Sequence, residues 1–118
     1  MRGAFLEDLT WPEAGARIAG GAVVVVPVGA AAKEHGPHLP LRTDYLVARE
    51  LGRRVAEALP VLVAPVVFDA DPGSGPDWSR TGARGDPSLA SPETGEAALR
   101  EITRELVDGL AALYPDLR

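Results

Sequence analysis

The residues best suited to chemistry lie together, in the stretch that runs from Gly29 to Asp44. This stretch contains both histidines of the chain, His35 and His38. Glu34 precedes the first histidine, and Asp44 ends the stretch. Imidazole and carboxylate groups are typical ligands of zinc and manganese. A divalent metal ion held by them would lower the pKa of a bound water and polarise a carbonyl group.

The same residues also have a purely structural interpretation. His35 and His38 could be turn residues bonded to the backbone, and Asp44 or Thr43 could cap a helix. Glu34 would then be an ordinary solvated carboxylate. The spacing of these residue types leaves both interpretations open.

Two apolar runs, 22–28 and 61–68, predict the strands that position this stretch. Both are rich in β-branched residues and too short for a globular helix, which is typical of strands buried on both faces. Between them a helix is predicted from Thr43 or Asp44 to about Leu59, with an apolar face that repeats every four residues. Strand, helix and strand form a right-handed βαβ unit with parallel strands. Residues 29–44 follow the carboxyl end of the first strand, where α/β proteins bind ligands.

Two further helices are predicted from their starting signals. Thr10 and Glu13 form a capping-box pattern, and the helix they begin ends at Gly20. Ser91 and Pro92 begin a helix that ends before residue 115. Its apolar stripe consists of Ala98, Ile102, Leu106, Leu110 and Leu113.

Residues 69–90 are rich in Gly, Pro, Ser and Asp and predict a long loop, with a short edge strand at 77–81. The remaining pattern gives only two clear strands. A two-stranded sheet is not stable alone, so either other segments add strands or another subunit completes the sheet. We therefore expect a homo-oligomer.

Composition limits the class of protein and of partner. The chain has 118 residues, of which 46% are hydrophobic and 25% charged, so we expect one globular domain over 1–118. The formal net charge of −5 argues against nucleic acid and anionic membranes as partners. No apolar run has the length of a transmembrane helix. The chain has no cysteine, which excludes disulfides and thiolate metal sites and fits a cytoplasmic location.

The motif at 29–44 resembles the N-terminal signature of the creatininase (creatinine amidohydrolase) family. It reads Gly-x-x-x-Lys-Glu-His-Gly-Pro-His-Leu-Pro-Leu-x-x-Asp and follows a strand that ends Val-Pro-Val-Gly. The opening at 6–13 and the strand at 61–65 also fit the family. Residues 82–91, with Gly95, resemble its C-terminal motif.

The resemblance implies an α/β/α fold, two divalent metal ions and hydrolysis of an amide C–N bond in oligomers that are commonly hexameric. It implies His35 as a metal ligand and Asp44 as the metal-bridging carboxylate. The position two residues before the histidine, a glutamate in the family, is Lys33 here. Glu34 would supply that carboxylate only if the one extra residue between Gly29 and His35 bulges out.

The family's middle, with its second pair of metal ligands, has no counterpart, and residues 69–76 look like the seam of a deletion. Two hypotheses follow. In the first, the chain is a metal-dependent amidohydrolase that acts on a small amide substrate and whose activity could be reduced or lost. It would bind zinc or manganese through His35, Asp44 and Glu34, and Glu34 or His38 would be the proton carrier. Alternatively, it is a catalytically silent oligomeric or regulatory module of the same fold. The glycines after Val28 do not form a dinucleotide-binding motif or P-loop.

Overall fold

The protein is an α/β fold built on a parallel sheet of three short strands. A computed structural model describes residues 1–67 and 86–117. The strands are β1 (Ala4–Phe5), β2 (Val24–Val25) and β3 (Leu62–Val63), arranged in the order β1-β3-β2. The pairing of β2 with β3 resumes further along the chain, at a parallel bridge between Val28 and Val67. The predicted α/β class is confirmed, and β1 is a strand that the sequence pattern did not predict.

The described residues form three α-helices, close to the predicted bounds. They are α1 (Trp11–Ala19), α2 (Thr43–Ala58) and α3 (Pro92–Leu113). The capping box of α1 forms, because Glu13 accepts the backbone N–H of Thr10 at 2.8 Å. The start of α3 is fixed by Ser91, whose hydroxyl oxygen accepts the backbone N–H of Thr94 at 3.1 Å. Short 3₁₀ turns occupy 6–8, 87–89 and 115–117, and the second of these lies inside the predicted loop.

The hydrophobic core lies between the sheet and α2. The buried residues of α2 are Gly52, Val55 and Ala56, and they face the β3 region. Gly52 permits the close approach, because a Cβ at this position would lie 2.9 Å from Val63 Cγ1. The buried core cluster consists of Phe5, Val55, Ala56, Leu59, Val61, Val63 and Leu117, with Val107 and Leu110 of α3 packed against it.

An ion-pair network joins α3 to α2. The guanidinium of Arg54 donates to Glu50 of its own helix at 2.7 Å and to both carboxylate oxygens of Glu96 in α3, at 2.9 and 2.6 Å. Arg53 also donates two hydrogen bonds to Glu50, each of 2.7 Å. These bonds, those from Arg53 above all, lower the pKa of Glu50 to about 2. The network holds α3 against α2 through charges that satisfy one another.

One predicted packing pattern is wrong, and a second apolar pattern is buried only in part. The run at 22–28 is not buried on both faces, because β2 is an edge strand and Val24, Val26 and Val28 are exposed. In α3 the predicted stripe is exposed at Ile102 and Leu106, whereas its Leu110 packs against the core together with Val107 of the neighbouring face. The reason is the same in both cases: the described residues contain too few layers to cover every apolar face. The predicted edge strand at 77–81 lies outside the described residues.

The second face of the sheet is only thinly covered. Across the sheet, the chain moves in one direction from β1 to β2, passing β3, and in the opposite direction from β2 to β3. Because both crossover connections are right-handed, α1 and α2 lie on opposite faces of the sheet. No residue of α1 is buried, and Trp11 and Ile18 are exposed. Each side of the sheet therefore has a helix, and the α1 side buries Leu62 of β3 although no residue of α1 is itself buried.

Candidate metal centre

The loop from β2 to α2 is held close to the first turn of the helix. The backbone N–H of Tyr45 donates to the carbonyl of Ala30 at 3.1 Å, and the N–H of Lys33 donates to the carbonyl of Leu41 at 3.0 Å. Gly29 permits this approach: a Cβ there would overlap the Asp44 carbonyl, lying 2.8 Å from its carbon. The end of the strand and the start of the helix are thus pinned together by main-chain contacts.

His35 and Asp44 are brought into direct contact by this arrangement. His35 Nε2 lies 2.8 Å from Asp44 Oδ1. The histidine side chain is 16% exposed and the aspartate side chain 41%, so the pair is accessible from solvent mainly on the carboxylate side. Gly36 follows the histidine with a φ of 77°, a left-handed conformation that glycine adopts without strain. The chain can therefore turn directly after the imidazole.

The other ring nitrogen of His35 is fixed by the main chain. Nδ1 donates to the carbonyl oxygen of Lys33 at 2.7 Å. Because a carbonyl can only accept, Nδ1 carries the hydrogen, and Nε2 is the nitrogen directed at Asp44. The bond to Asp44, and then the bond to the Lys33 carbonyl, raise the pKa of His35 above its ordinary value. The pair thus favours the protonated imidazole more than a free histidine would.

Asp44 does not cap α2. The N-cap residue of that helix is Arg42, and its side chain makes no capping hydrogen bond. Thr43 instead donates its hydroxyl to the carbonyl of Pro40 at 2.6 Å, closing the last turn before the helix. The structural interpretation of Asp44 and Thr43 as caps is therefore wrong, and the Asp44 carboxylate points to the histidine.

The remaining predicted site residues, Glu34 and His38, are exposed. In the part of the chain that the structure describes, no group of three or more histidine, aspartate or glutamate side chains is arranged to hold a metal ion. His35 and Asp44 are the two predicted ligands that the fold brings together. Their assignment as metal ligands, and that of Glu34 and His38 as proton carriers, stay predictions.

The His35–Asp44 pair fits part of a metal site. A metal-binding histidine commonly donates its second ring N–H to a carbonyl or carboxylate, and the Lys33 carbonyl does this here. The donor types suit zinc and manganese. Two donors are fewer than the three protein ligands typical of catalytic zinc sites, so the set on the described residues is incomplete.

A shallow groove of about 300 Å³ opens beside Asp44. It runs between the end of β2 and the outer side of α2. Its lining is mainly apolar and consists of Val28, Gly29, Asp44, Val47, Ala48 and Leu51. The carboxylate therefore lies at one end of an apolar groove.

Comparison with known proteins identifies the family. Residues 7–68 match the family model described as Creatininase: Creatinine amidohydrolase, which is more than half of the chain. The chain belongs to the creatininase family. The matched region includes β2, the loop with His35, and α2 with Asp44. It ends before the segment 82–95, where the resemblance to the family's C-terminal motif remains a prediction.

Similar proteins are much longer than this creatininase-family chain. It is 42% identical over 62 residues to a creatinine amidohydrolase of Pseudomonas putida, covering 52% of this chain and 24% of that protein. It therefore spans about a quarter of the length of the curated relative it matches. A manganese form of creatininase aligns over 71% of this chain and 34% of its own, at 33% identity and a TM-score of 0.53. A zinc–zinc form of a creatininase mutant aligns over 54% and 25%, at 40% identity and a TM-score of 0.50.

The main chain has a part in this site that the residue types do not indicate. The acceptor for His35 Nδ1 is a backbone carbonyl, which no residue type reports. The close approach at Gly29 did leave a signal, because a glycine between a buried strand and a loop is typical of close backbone contacts.

None of the helices in the described ranges combines the length and apolar character needed to cross a membrane.

Proposed function

We propose that this protein is a creatininase-like, metal-dependent amidohydrolase that acts on a small amide. The observation that carries the proposal is the His35–Asp44 pair, whose Nε2 and carboxylate face each other while Nδ1 is held by the Lys33 carbonyl. The family match and the zinc and manganese forms among similar structures support a divalent metal. When bound, such an ion would supply Lewis-acid activation of water and of the amide carbonyl.

The chain's own residues would bind the ion and handle protons. His35 and Asp44 would each contribute one ligand, and the ordered loop would keep them in place without the ion. Glu34, if the loop bulges, would add a carboxylate. Glu34 or His38 would carry a proton between water and the leaving nitrogen, for which both are sufficiently exposed to reach a bound substrate.

Metal titration by calorimetry tests the site. Chelator-stripped protein would be titrated with Zn²⁺ and then Mn²⁺, beside His35→Ala and the matched control His38→Ala. We expect saturable binding, at least about tenfold weaker in His35→Ala because a ligand is lost, and unchanged in His38→Ala. Equal affinities of wild type and His35→Ala would refute the metal assignment.

An activity assay separates the two functional hypotheses. A structure of a similar creatininase mutant holds creatine, so creatinine and water giving creatine is the first reaction to assay. Hydrolysis that disappears in His35→Ala would establish the enzyme. Metal binding without hydrolysis would favour the alternative, a catalytically silent oligomeric or regulatory module. The incomplete ligand set on the described residues supports that alternative.

Self-association and a cytoplasmic location belong to the same proposal. The exposed valines of β2 and the incomplete ligand set support a homo-oligomer, because another copy could both cover apolar surface and add donors. The melting temperature of the protein should fall on dilution, because an oligomer dissociates and loses stability by mass action. A melting temperature independent of concentration would argue for a monomer.

A further inference from the structure

Lys33, the only lysine of the chain, is anchored beside the His35–Asp44 pair by both of its main-chain groups. Its N–H donates to the carbonyl of Leu41 at 3.0 Å, and its carbonyl oxygen lies 2.7 Å from Nδ1 of His35. The backbone of residue 33 is thus held between the imidazole and the segment that leads into α2. A change of the side chain at this position would leave both bonds in place, because they involve only main-chain atoms of residue 33.

The ammonium group of Lys33 acts on the pair electrostatically. The hydrogen bonds to Asp44 and to the Lys33 carbonyl raise the pKa of His35, and the positive charge of Lys33 opposes them. Asp44 and Lys33 are the charged groups that act on this imidazole, although Glu34 is adjacent to it in sequence. The ammonium is therefore close to the pair in space as well as along the chain.

This ammonium has no carboxylate partner in the part of the chain that the structure describes. The ion pairs among residues 1–67 and 86–117 involve His35 and several arginines, and none includes Lys33. Only the imidazole ring separates the Lys33 carbonyl from the Asp44 carboxylate, which is 41% exposed. The flexible four-carbon stem of a lysine can span such a distance, so the ammonium can approach the open side of the carboxylate.

We propose that the Lys33 ammonium competes with a divalent ion for the space beside Asp44, so that the native site binds such an ion weakly and holds no more than one per chain. The inference rests on the proposed function and adds to it a residue that sets the metal affinity. A divalent ion bound by His35 and Asp44 must displace the ammonium into solvent, and a second ion would be repelled by both the first ion and Lys33. Even in water, a divalent charge and an ammonium a few ångströms apart repel one another enough to weaken binding about tenfold.

The exposure of Lys33 makes this competition dependent on salt. Dissolved ions screen charges at the protein surface over a Debye length of about 10 Å at 0.1 M ionic strength and about 3 Å at 1 M. The effect of the ammonium on metal affinity should therefore be largest at low ionic strength and small at about 1 M. A purely structural role of Lys33 would show no such dependence, because its main-chain bonds carry no net charge.

Metal titration by calorimetry on the chelator-stripped full chain tests the role of this lysine. Wild type, Lys33→Gln, Lys33→Arg and the control Arg17→Gln would be titrated with Zn²⁺ and with Mn²⁺, with circular dichroism to verify folding. Arg17 is an exposed residue of α1, so its replacement changes the net charge equally, far from the pair. At low ionic strength we expect Lys33→Gln to bind at least about tenfold more tightly than wild type. Lys33→Arg and Arg17→Gln should bind as wild type does, and Lys33→Gln should approach wild type at about 1 M salt.

The outcomes separate this inference from the proposed function. Equal affinities of wild type and Lys33→Gln would refute the competition and leave the metal site standing, as would two ions per chain in wild type or an equal gain in Arg17→Gln. Binding by Lys33→Gln but not by wild type would support the competition and overturn the metal-dependent function of the native protein. A complete lack of saturable binding in all four proteins would overturn both.

Discussion

Replacing Gly29 with alanine should disrupt both the stability of the fold and the His35–Asp44 pair. The added Cβ would overlap the Asp44 carbonyl oxygen, with the carbonyl carbon at 2.8 Å and Ala48 Cβ at 3.0 Å. Two of these atoms belong to the helix backbone, so α2 itself must move away from the end of β2. Overpacking of this kind costs about 1–3 kcal/mol. For a chain of this size each kcal/mol lowers the Tm by about 4 °C, so we expect a fall of about 4–12 °C.

Two other glycines make the measurement specific. Gly109→Ala places its Cβ where nothing lies within 4 Å, inside α3, and should stabilise the protein by up to about 1 kcal/mol. Gly3→Ala would overlap the Val61 carbonyl, far along the chain from His35, and should lower the Tm without altering metal affinity. Thermal unfolding by circular dichroism and metal titration would be run on all three variants. A Gly29→Ala protein that melts at or above the wild-type Tm would refute the close approach of β2 and α2.

Two further predictions concern the contact between α2 and α3. Arg54→Met should lower the midpoint of chemical denaturation, because it leaves Glu50 and Glu96 without their shared partner. A variant as stable as wild type would show that the network adds nothing to stability. The pKa of Glu50 is lowered to about 2 in the fold, so its contribution is complete above its unfolded pKa of about 4.5 and is lost as pH falls from there towards 2. Because solvent screens this partly exposed carboxylate, the loss in free energy of unfolding is about 1–2 kcal/mol. Glu50→Gln should therefore flatten the plot of unfolding free energy against pH between those two values.

The helices were predictable because each carries local signals for its ends. The capping residues decide where α1 and α3 begin, and the proline after α2 decides where that helix stops, whatever packs around them. The bounds of α2 followed from the same kind of evidence. β1 was not predictable, because a strand of two residues, Ala4 and Phe5, has no period to detect. It is defined only by its register with Leu62 and Val63, which are distant in sequence.

Burial was harder to predict than secondary structure. An apolar run indicates that a segment can be buried, whereas its position in the sheet decides whether it is. Val23 to Val28 has the composition of a central strand, yet β2 lies at an edge. In α3 the apolar residues cover more of the helix surface than α2 and the sheet can contact, so the sequence could not indicate which side would pack. Those mismatches mark the surfaces that a partner could cover.

The His35–Asp44 pair shows why geometry and activity must be tested separately in this protein. Position 33, where the resemblance places a glutamate ligand, is a lysine, so a carboxylate is lost there. The carbonyl of Lys33 nevertheless holds His35 Nδ1, because a backbone carbonyl is the same for every side chain. The orientation of the imidazole therefore survives a substitution that removes a ligand. An intact pair is expected from an active enzyme and equally from a silent descendant of one, and only the number of bound metal ions and the hydrolysis of substrate distinguish them.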